Sequence, residues 1–331
     1  MKKIYKILIV FVFILYNTSV KSETFDNWLS SFKKYALKNG ISEITFNLAM
    51  SNVKFNPKVI EYDRYQPEFY EDTKTYIKKR TSDKKVKEAI KLYKKNKKLI
   101  DEVEKKFGVE KELLLALMGI ETNFGKYLGK MDILSSLATL SYDQRRSEFF
   151  TSELITILQL IEKGIIDYKI LYGSWAGAFG NFQFMPSTIK SYAIDYDNNN
   201  IIELKKTKDS FASAANYINK IGWKKNQSCF KKVNLSEDIP KNLLNTSARK
   251  IKNKKSIKKI GKYILNYKQL NINNKSVVGV ITPDKDIIPD AENLNPAYLV
   301  FENYELILKW NRSLRFALAV CTLKEKISNE I

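Results

Sequence analysis

No histidine occurs anywhere in this 331-residue chain. That absence excludes Ser-His-Asp and Cys-His catalysis, His-ligated zinc and imidazole acid/base chemistry, and leaves proton transfer to Glu, Asp, Lys or Tyr. Cysteine is almost as scarce, with only Cys229 and Cys321. In an oxidising compartment they could form one structural bridge; as an alternative they are two buried free thiols, and the sequence alone does not bring them within bonding distance. Acidic residues are outnumbered: 36 Asp and Glu against 57 Lys and Arg give a net charge of +21. Long apolar runs are missing too, apart from one near the N-terminus. There is no internal repeat and no low-complexity linker.

That one run fixes the expected compartment. Basic Met1-Lys-Lys-Ile-Tyr-Lys6 precedes the apolar stretch Ile7–Tyr16, and small or polar residues then lead to Val20 and Ser22. The apolar stretch is too short to span a bilayer, and the arrangement is that of a cleavable signal peptide over residues 1–22. The alternative is an uncleaved anchor. No cysteine follows the run, so no lipid anchor is expected. An exported protein of this charge is expected to meet an anionic wall polymer or membrane surface rather than nucleic acid. A solvated basic surface in a Lys-, Asn- and Ile-rich chain is the plainer reading of the same number.

Apolar spacing of three and four predicts mostly helix. Phe25, Trp28, Leu29, Phe32, Tyr35 and Ala36 share one face, and Gly40 suits a helix end before a second helix over 42–50. Residues 56–81 read as loop plus short helix, and 83–107 as a Lys-rich helix closed by Gly108. Further helices are expected from Lys111, over 132–163 as a pair closed by Gly164, over 186–194 behind Pro186, over 207–221, and over 304–327. Between 230 and 300, short apolar pieces such as Val277–Ile281 alternate with Asn, Lys, Pro and Asp, the texture of a small β-containing region.

Three stretches could carry chemistry. Leu114 and Leu117 lie seven and four residues before Glu121 and share its helical face. If that face is covered, the carboxyl is desolvated and keeps a proton to give to a leaving oxygen; the alternative is a solvated Glu at a helix end. The Gly- and aromatic-rich stretch Gly173–Ser187 could line a groove above it. In the third, Asp195, Asp197, Asn199 and the carbonyl of Ile201 take the 1, 3, 5 and 7 places of a Ca²⁺ loop. Asn200 replaces the usual Gly, and Lys206 stands in the twelfth place and cannot coordinate, so Asp209 is the nearby acidic substitute. An Asn-rich polar turn is the alternative. A second carboxylate, which most glycosidases need, has no comparable signature here.

Taken in order, Ala116–Gly125, Leu134–Leu140, Arg145-Arg146, Gly173–Ser187, Asn216-Tyr217, Asn303–Ser313 and Phe316–Val320 resemble the membrane-bound lytic murein transglycosylase B family from about residue 25 to 328. The resemblance implies a mainly α (α+β) protein: an N-terminal helical region (23–95), a lysozyme-like core with an EF-hand-like loop (96–228), a small β subdomain (229–300) and a C-terminal helical segment packing back on the core (301–331). It implies non-hydrolytic cleavage of the β-1,4 bond between N-acetylmuramic acid and N-acetylglucosamine in peptidoglycan, leaving a 1,6-anhydro end. Glu121 falls at the family's sole catalytic carboxyl, first acid and then base, with the sugar's N-acetyl group supplying what a second carboxylate would. Ser174, Gln183, Met185, Arg145, Arg146, Tyr217 and Asn311 fall at groove positions, while Trp310 stands where the family commonly has Tyr. The loop 195–209 is expected to hold a structural Ca²⁺ or Na⁺ through Asp195, Asp197, Asn199, Ile201 and Asp209, and the chemistry needs no cofactor. The expected partners are glycan strands and other cell-wall enzymes, and the expected form is a periplasmic monomer. A wall-binding scaffold without activity and a hydrolytic muramidase are the competing functions.

Overall fold

The first helix, α1 (Phe25–Lys38), begins where the Thr24 side chain accepts the Asn27 N–H, and turns Phe32 and Ala36 inward. The structure, a computed structural model, describes residues 23–65, 71–284 and 294–331; the expected signal peptide lies outside them. Gly40, at φ +82°, reverses the chain into α2 (Glu43–Met50). The Ser42 N–H and hydroxyl both donate to Glu162, which ties this hairpin to a helix far along the chain.

Two short helices, α3 (Pro57–Arg64) and α4 (Thr73–Arg80), occupy the stretch read as loop plus one helix. The helix expected over 83–107 is two, α5 (Asp83–Lys95) and α6 (Lys97–Phe107). Asn96 breaks it: its side-chain amide donates to the Leu92 carbonyl, and its backbone leaves helical geometry at φ −121°, ψ 25°. Gly108, left-handed at φ +66°, ends α6 as expected.

At the centre is α7 (Lys111–Thr122), fully buried from Leu113 to Leu117. The helices α8 (Ile133–Tyr142) and α9 (Ser147–Glu162) pack together as a pair, and α10 (Pro186–Tyr192) and α11 (Thr207–Lys220) complete this layer. A two-stranded antiparallel ribbon, β1 (Met131–Asp132) with β2 (Tyr172–Gly173), joins the chain after α7 to the Gly-rich stretch. Buried Glu153 accepts from both the N–H and the hydroxyl of Ser187 and so caps α10.

The region 230–300 forms a mixed sheet of β3 (Phe230–Val233), β4 (Leu244–Asn245), β5 (Lys255–Ser256), β6 (Val277–Ile281) and β7 (Ala297–Val300). Its order is β3-β7-β6-β4, with β5 on β6; β7 runs antiparallel to both neighbours, and β4 parallel to β6. Val233, Leu235, Ile257, Val280 and Leu299 form a second, smaller core here. The helix expected over 304–327 is interrupted. It divides into α13 (Glu302–Trp310) and α14 (Leu314–Ser328), because Ser313 starts afresh by accepting the Phe316 N–H; a one-turn α12 (Ile257–Ile260) lies within the sheet region. α14 packs along α7, and Cys321 on it is bonded to Cys229 at the foot of β3.

Candidate active site

Glu121 lies in the last turn of α7, above buried Leu114 and Leu117, and is itself half-buried. The negative end of the helix dipole meets it there and penalises a carboxylate charge. Directly after the helix ends at Thr122 the backbone is left-handed at three successive residues: Asn123 at φ 49°, Phe124 at 60° and Gly125 at 80°. Asn tolerates this region, but a bulky aromatic rarely enters it, at a cost of about 1–3 kcal/mol.

Several contacts hold the turn. The Phe124 N–H donates to Met118 O, and the Thr122 hydroxyl accepts the Gly125 N–H at 3.0 Å. Gly119 O, left without a helical donor, takes Lys85 Nζ at 2.5 Å. Burial, then the neighbouring charges of Arg80 and Lys126, push the Lys85 ammonium below the usual lysine range. The Phe124 ring folds back over Gly119, where a Cβ would lie 2.7 Å from Cζ of that ring.

The Gly-rich stretch is clamped onto this turn. Phe179 and Phe184 exchange backbone hydrogen bonds across a tight hairpin in which Gly180 (φ 78°) and Gln183 (φ 50°) are left-handed. The Thr122 hydroxyl, one residue from Glu121, donates to Asn181 O at 2.8 Å. The Asn181 amide, buried, donates to Lys205 O and Ser210 Oγ, which anchors the hairpin to α11. The Gln183 amide donates to Gly180 O and Leu128 O, and Ser174 Oγ accepts the Ala178 N–H at 2.9 Å. Met185 is the residue before α10, and Asn311 the residue after α13.

An aromatic ladder meets the carboxyl. Trp310 Nε1 donates to Glu121 Oε1 at 2.9 Å. The Trp310 ring stacks on Tyr217 with centroids 5.0 Å apart, and Tyr217 stacks on Tyr192 at 4.3 Å. Phe184 and Phe182 meet Trp310 edge-on at 5.3 and 6.2 Å. The Tyr217 hydroxyl donates to Lys309 O at 3.1 Å, and its pKa is pushed up to about 12 by burial and then by Tyr192. Trp310 is thus brought to Glu121 directly and Tyr217 only through the Trp310 ring, and the hairpin of Gln183 is tied to the end of α7 through Thr122 and Asn181. Arg145 and Arg146 are engaged elsewhere, both gripping buried Asp63 of α3 from the turn between α8 and α9.

Sequence reasoning did not give Trp310 its contact, nor single out Thr122, Asn181 or Tyr192. The signals for Trp310 were its place beside Asn311 at the end of a helical pattern and the Tyr that the resembled family commonly has there; no periodicity marks Thr122 or Asn181, whose contacts with Asn181 O and with Lys205 O and Ser210 Oγ span 59, 24 and 29 residues.

Where the loop after α10 meets the first turn of α11, carboxylate oxygens of Asp195, Asp197 and Asp209 lie within 4.8 Å of one another. Asp195 accepts the Asn199 and Asn200 N–H groups, and Asp209 those of Tyr196 and Glu203. Asn198 and Asn200 supply the left-handed residues at φ 58° and 70°. Asp197 Oδ1 is buried and accepts no hydrogen bond. Three gathered carboxylates with one orphaned oxygen fit a hard, oxygen-seeking cation. Asn199 Oδ1 accepts the Ile201 N–H, a turn contact that places both residues on the same loop.

Residues 24–325 match the family model described as a transglycosylase SLT domain. Over 120 residues the chain is 42% identical to the membrane-bound lytic murein transglycosylase B of Escherichia coli (strain K12), a stretch covering 36% of this chain and 33% of that protein. The matched stretch thus spans about a third of that relative's length. The fold superimposes on SltB3 from Pseudomonas aeruginosa in complex with NAG-anhNAM-pentapeptide, with TM-score 0.81 and 29% identity, covering 92% of this chain and 80% of that one. It also superimposes on the E. coli lytic transglycosylase Slt35 in complex with calcium, with TM-score 0.75 and 25% identity, covering 91% and 93%. The mainly α, lysozyme-like architecture with a small sheet is therefore the fold of this chain.

Proposed function

Because the chain belongs to the transglycosylase SLT domain family, we propose that it is a peptidoglycan lytic transglycosylase in which Glu121 is the acid and then the base. The observation that carries this reading is a single half-buried carboxyl at the end of an apolar helix, held by the Trp310 N–H and flanked by the hairpin of Gln183. The protonated Glu121 gives its proton to the glycosidic oxygen as the C1–O bond breaks, and the bond's electron pair stays on that oxygen. The substrate's N-acetyl oxygen stabilises the cationic C1. The C6 hydroxyl then attacks C1, and Glu121 takes its proton. No water is consumed, and the product is a 1,6-anhydro-N-acetylmuramic end. One carboxyl is enough because it returns to its starting state, consistent with a chain that has no histidine. Ser174, Gln183, Met185, Tyr217 and Asn311 are proposed to bind the glycan. Arg145 and Arg146, locked on Asp63, would contribute by shaping the groove wall.

The same reading includes export to the periplasm, action there as a monomer on glycan strands and alongside other wall enzymes, and a structural Ca²⁺ held by Asp195, Asp197 and Asp209 with help from Asn199 and Ile201. The orphaned Asp197 oxygen and the calcium complex of Slt35 support the metal. A Glu121→Gln variant tests the catalytic assignment: it is expected to keep the wild-type thermal midpoint and its binding to isolated sacculi while product release falls by at least about a thousandfold. Retention of substantial activity would sink the assignment.

A further inference from the structure

We infer that Trp310 is a positioning residue that fixes which oxygen of Glu121 carries the transferable proton. The inference rests on the acid–base role of Glu121 proposed above. Trp310 Nε1 lies 2.9 Å from Glu121 Oε1. An indole N–H can only donate. A protonated carboxyl offers two unlike oxygens, a carbonyl oxygen that accepts well and a hydroxyl oxygen that accepts poorly. A donor at Oε1 therefore makes Oε1 the carbonyl oxygen and puts the proton on Oε2. A hydroxyl-bearing side chain at this position would make no such choice, since it can donate or accept.

The N–H has little freedom to wander. The Trp310 ring is stacked on Tyr217, which is stacked on Tyr192, and Phe184 and Phe182 press its edges. The Tyr217 hydroxyl is itself tied to Lys309 O, in the last turn of the helix that carries Trp310, so the stack and the helix end move together. A phenol is un-ionised through the neutral range, and burial pushes Tyr217 further up, to about 12, so the ladder carries no charge there.

The consequence runs through both steps. In the first, Oε2 releases its proton to the glycosidic oxygen while the C1–O bond breaks toward that oxygen. The negative charge left on Glu121 is met by the Trp310 N–H, whose bond strengthens as its acceptor becomes charged. In the second, Oε1 is still covered, so Oε2 takes the proton from the C6 hydroxyl as the O6–C1 bond forms. One oxygen gives and receives, and the carboxyl need not rotate between steps.

The test replaces the indole nitrogen alone. Trp310 is exchanged for 3-benzothienylalanine, which keeps the ring shape and stack but has no N–H, with Trp310→Phe as a second variant. Losing a donor to the charged form raises the Glu121 titration midpoint by about one pH unit. Activity needs the protonated form, so the basic limb of kcat/KM on isolated glycan strands moves up by the same amount. Meanwhile kcat falls about tenfold with KM within about twofold of wild type. The ¹³Cδ resonance of Glu121 reports the midpoint without turnover. An unmoved midpoint, or a KM effect alone, overturns the role of Trp310. A midpoint that rises in the variants as expected, together with a wild type that releases no product, overturns the proposed reaction instead.

Discussion

Gly119 makes the turn after Glu121 possible, because the Phe124 ring occupies the space a side chain would need. Gly119→Ala is expected to push that ring out, cost about 1–3 kcal/mol in denaturant unfolding, and lower activity by displacing the carboxyl two residues on; unchanged stability would mean the ring moves freely. Asn181→Ala removes the clamp to α11 and leaves Lys205 O and Ser210 Oγ without this donor, for an expected loss of about 1–3 kcal/mol. Tyr217 and Tyr298 both have pKa values pushed up to about 12, mainly by burial. A raised folded pKa means that the stability they add is intact below the unfolded value near 10 and is lost as pH rises toward about 12. Thermal midpoints should therefore fall steeply across that window, and less so in Tyr217→Phe. At this scale the buried face beneath Glu121 was legible, because Leu114 and Leu117 mark it, while the role proposed for Glu121 came from the resemblance. The residues that hold Glu121 were not legible, since a hydroxyl bonded to the backbone of a loop 59 residues away leaves no periodic trace.

Elements were legible where glycine or an apolar stripe marks them, as at Gly40, Gly108 and the buried face of α7. Besides the second short helix found within 56–81, the misreadings are two breaks in long helical patterns, and both are made by side chains competing for the backbone. Asn96 bonds Leu92 O, and Ser313 caps α14, so a run that is helical by apolar spacing becomes two helices. The second break matters most, because it ends α13 at Trp310 and so points the indole at Glu121. The disulfide spans 92 residues and anchors α14, the helix packed along α7, to the sheet. Reducing it relaxes a long loop in the unfolded chain, for an expected loss of about 2–5 kcal/mol by chemical denaturation. The acidic loop before α11 gives a prediction of the opposite sign. Calcium at about a hundred times its dissociation constant should stabilise the fold by about 2.7 kcal/mol. Asp195→Ala should abolish that gain; a wild type whose melting ignores calcium would remove the metal from the account.

Across the whole molecule, some lysines sit in ion pairs, such as Lys111 with Glu104 and Lys224 with Glu302, but these pairs leave the net charge of +21 unchanged. Charge alone said little about function, since a basic surface suits more than one partner, whereas the missing histidines and the ordered motifs point to carboxyl chemistry, proposed for Glu121. The division into a helical body and a sheet with its own small core was visible in the change of texture near residue 230; the strand order, with β7 central between β3 and β6, was not, because short strands pair over distances no local pattern encodes. The central claim is that Glu121 acts alone and that the sugar's own C6 hydroxyl is the nucleophile. Mass spectrometry of muropeptides released from purified peptidoglycan addresses it most directly. The account predicts ends one water lighter than reducing sugars, resistant to borohydride, and absent with Glu121→Gln; borohydride-reducible ends from the wild type would show that water is the nucleophile and contradict it.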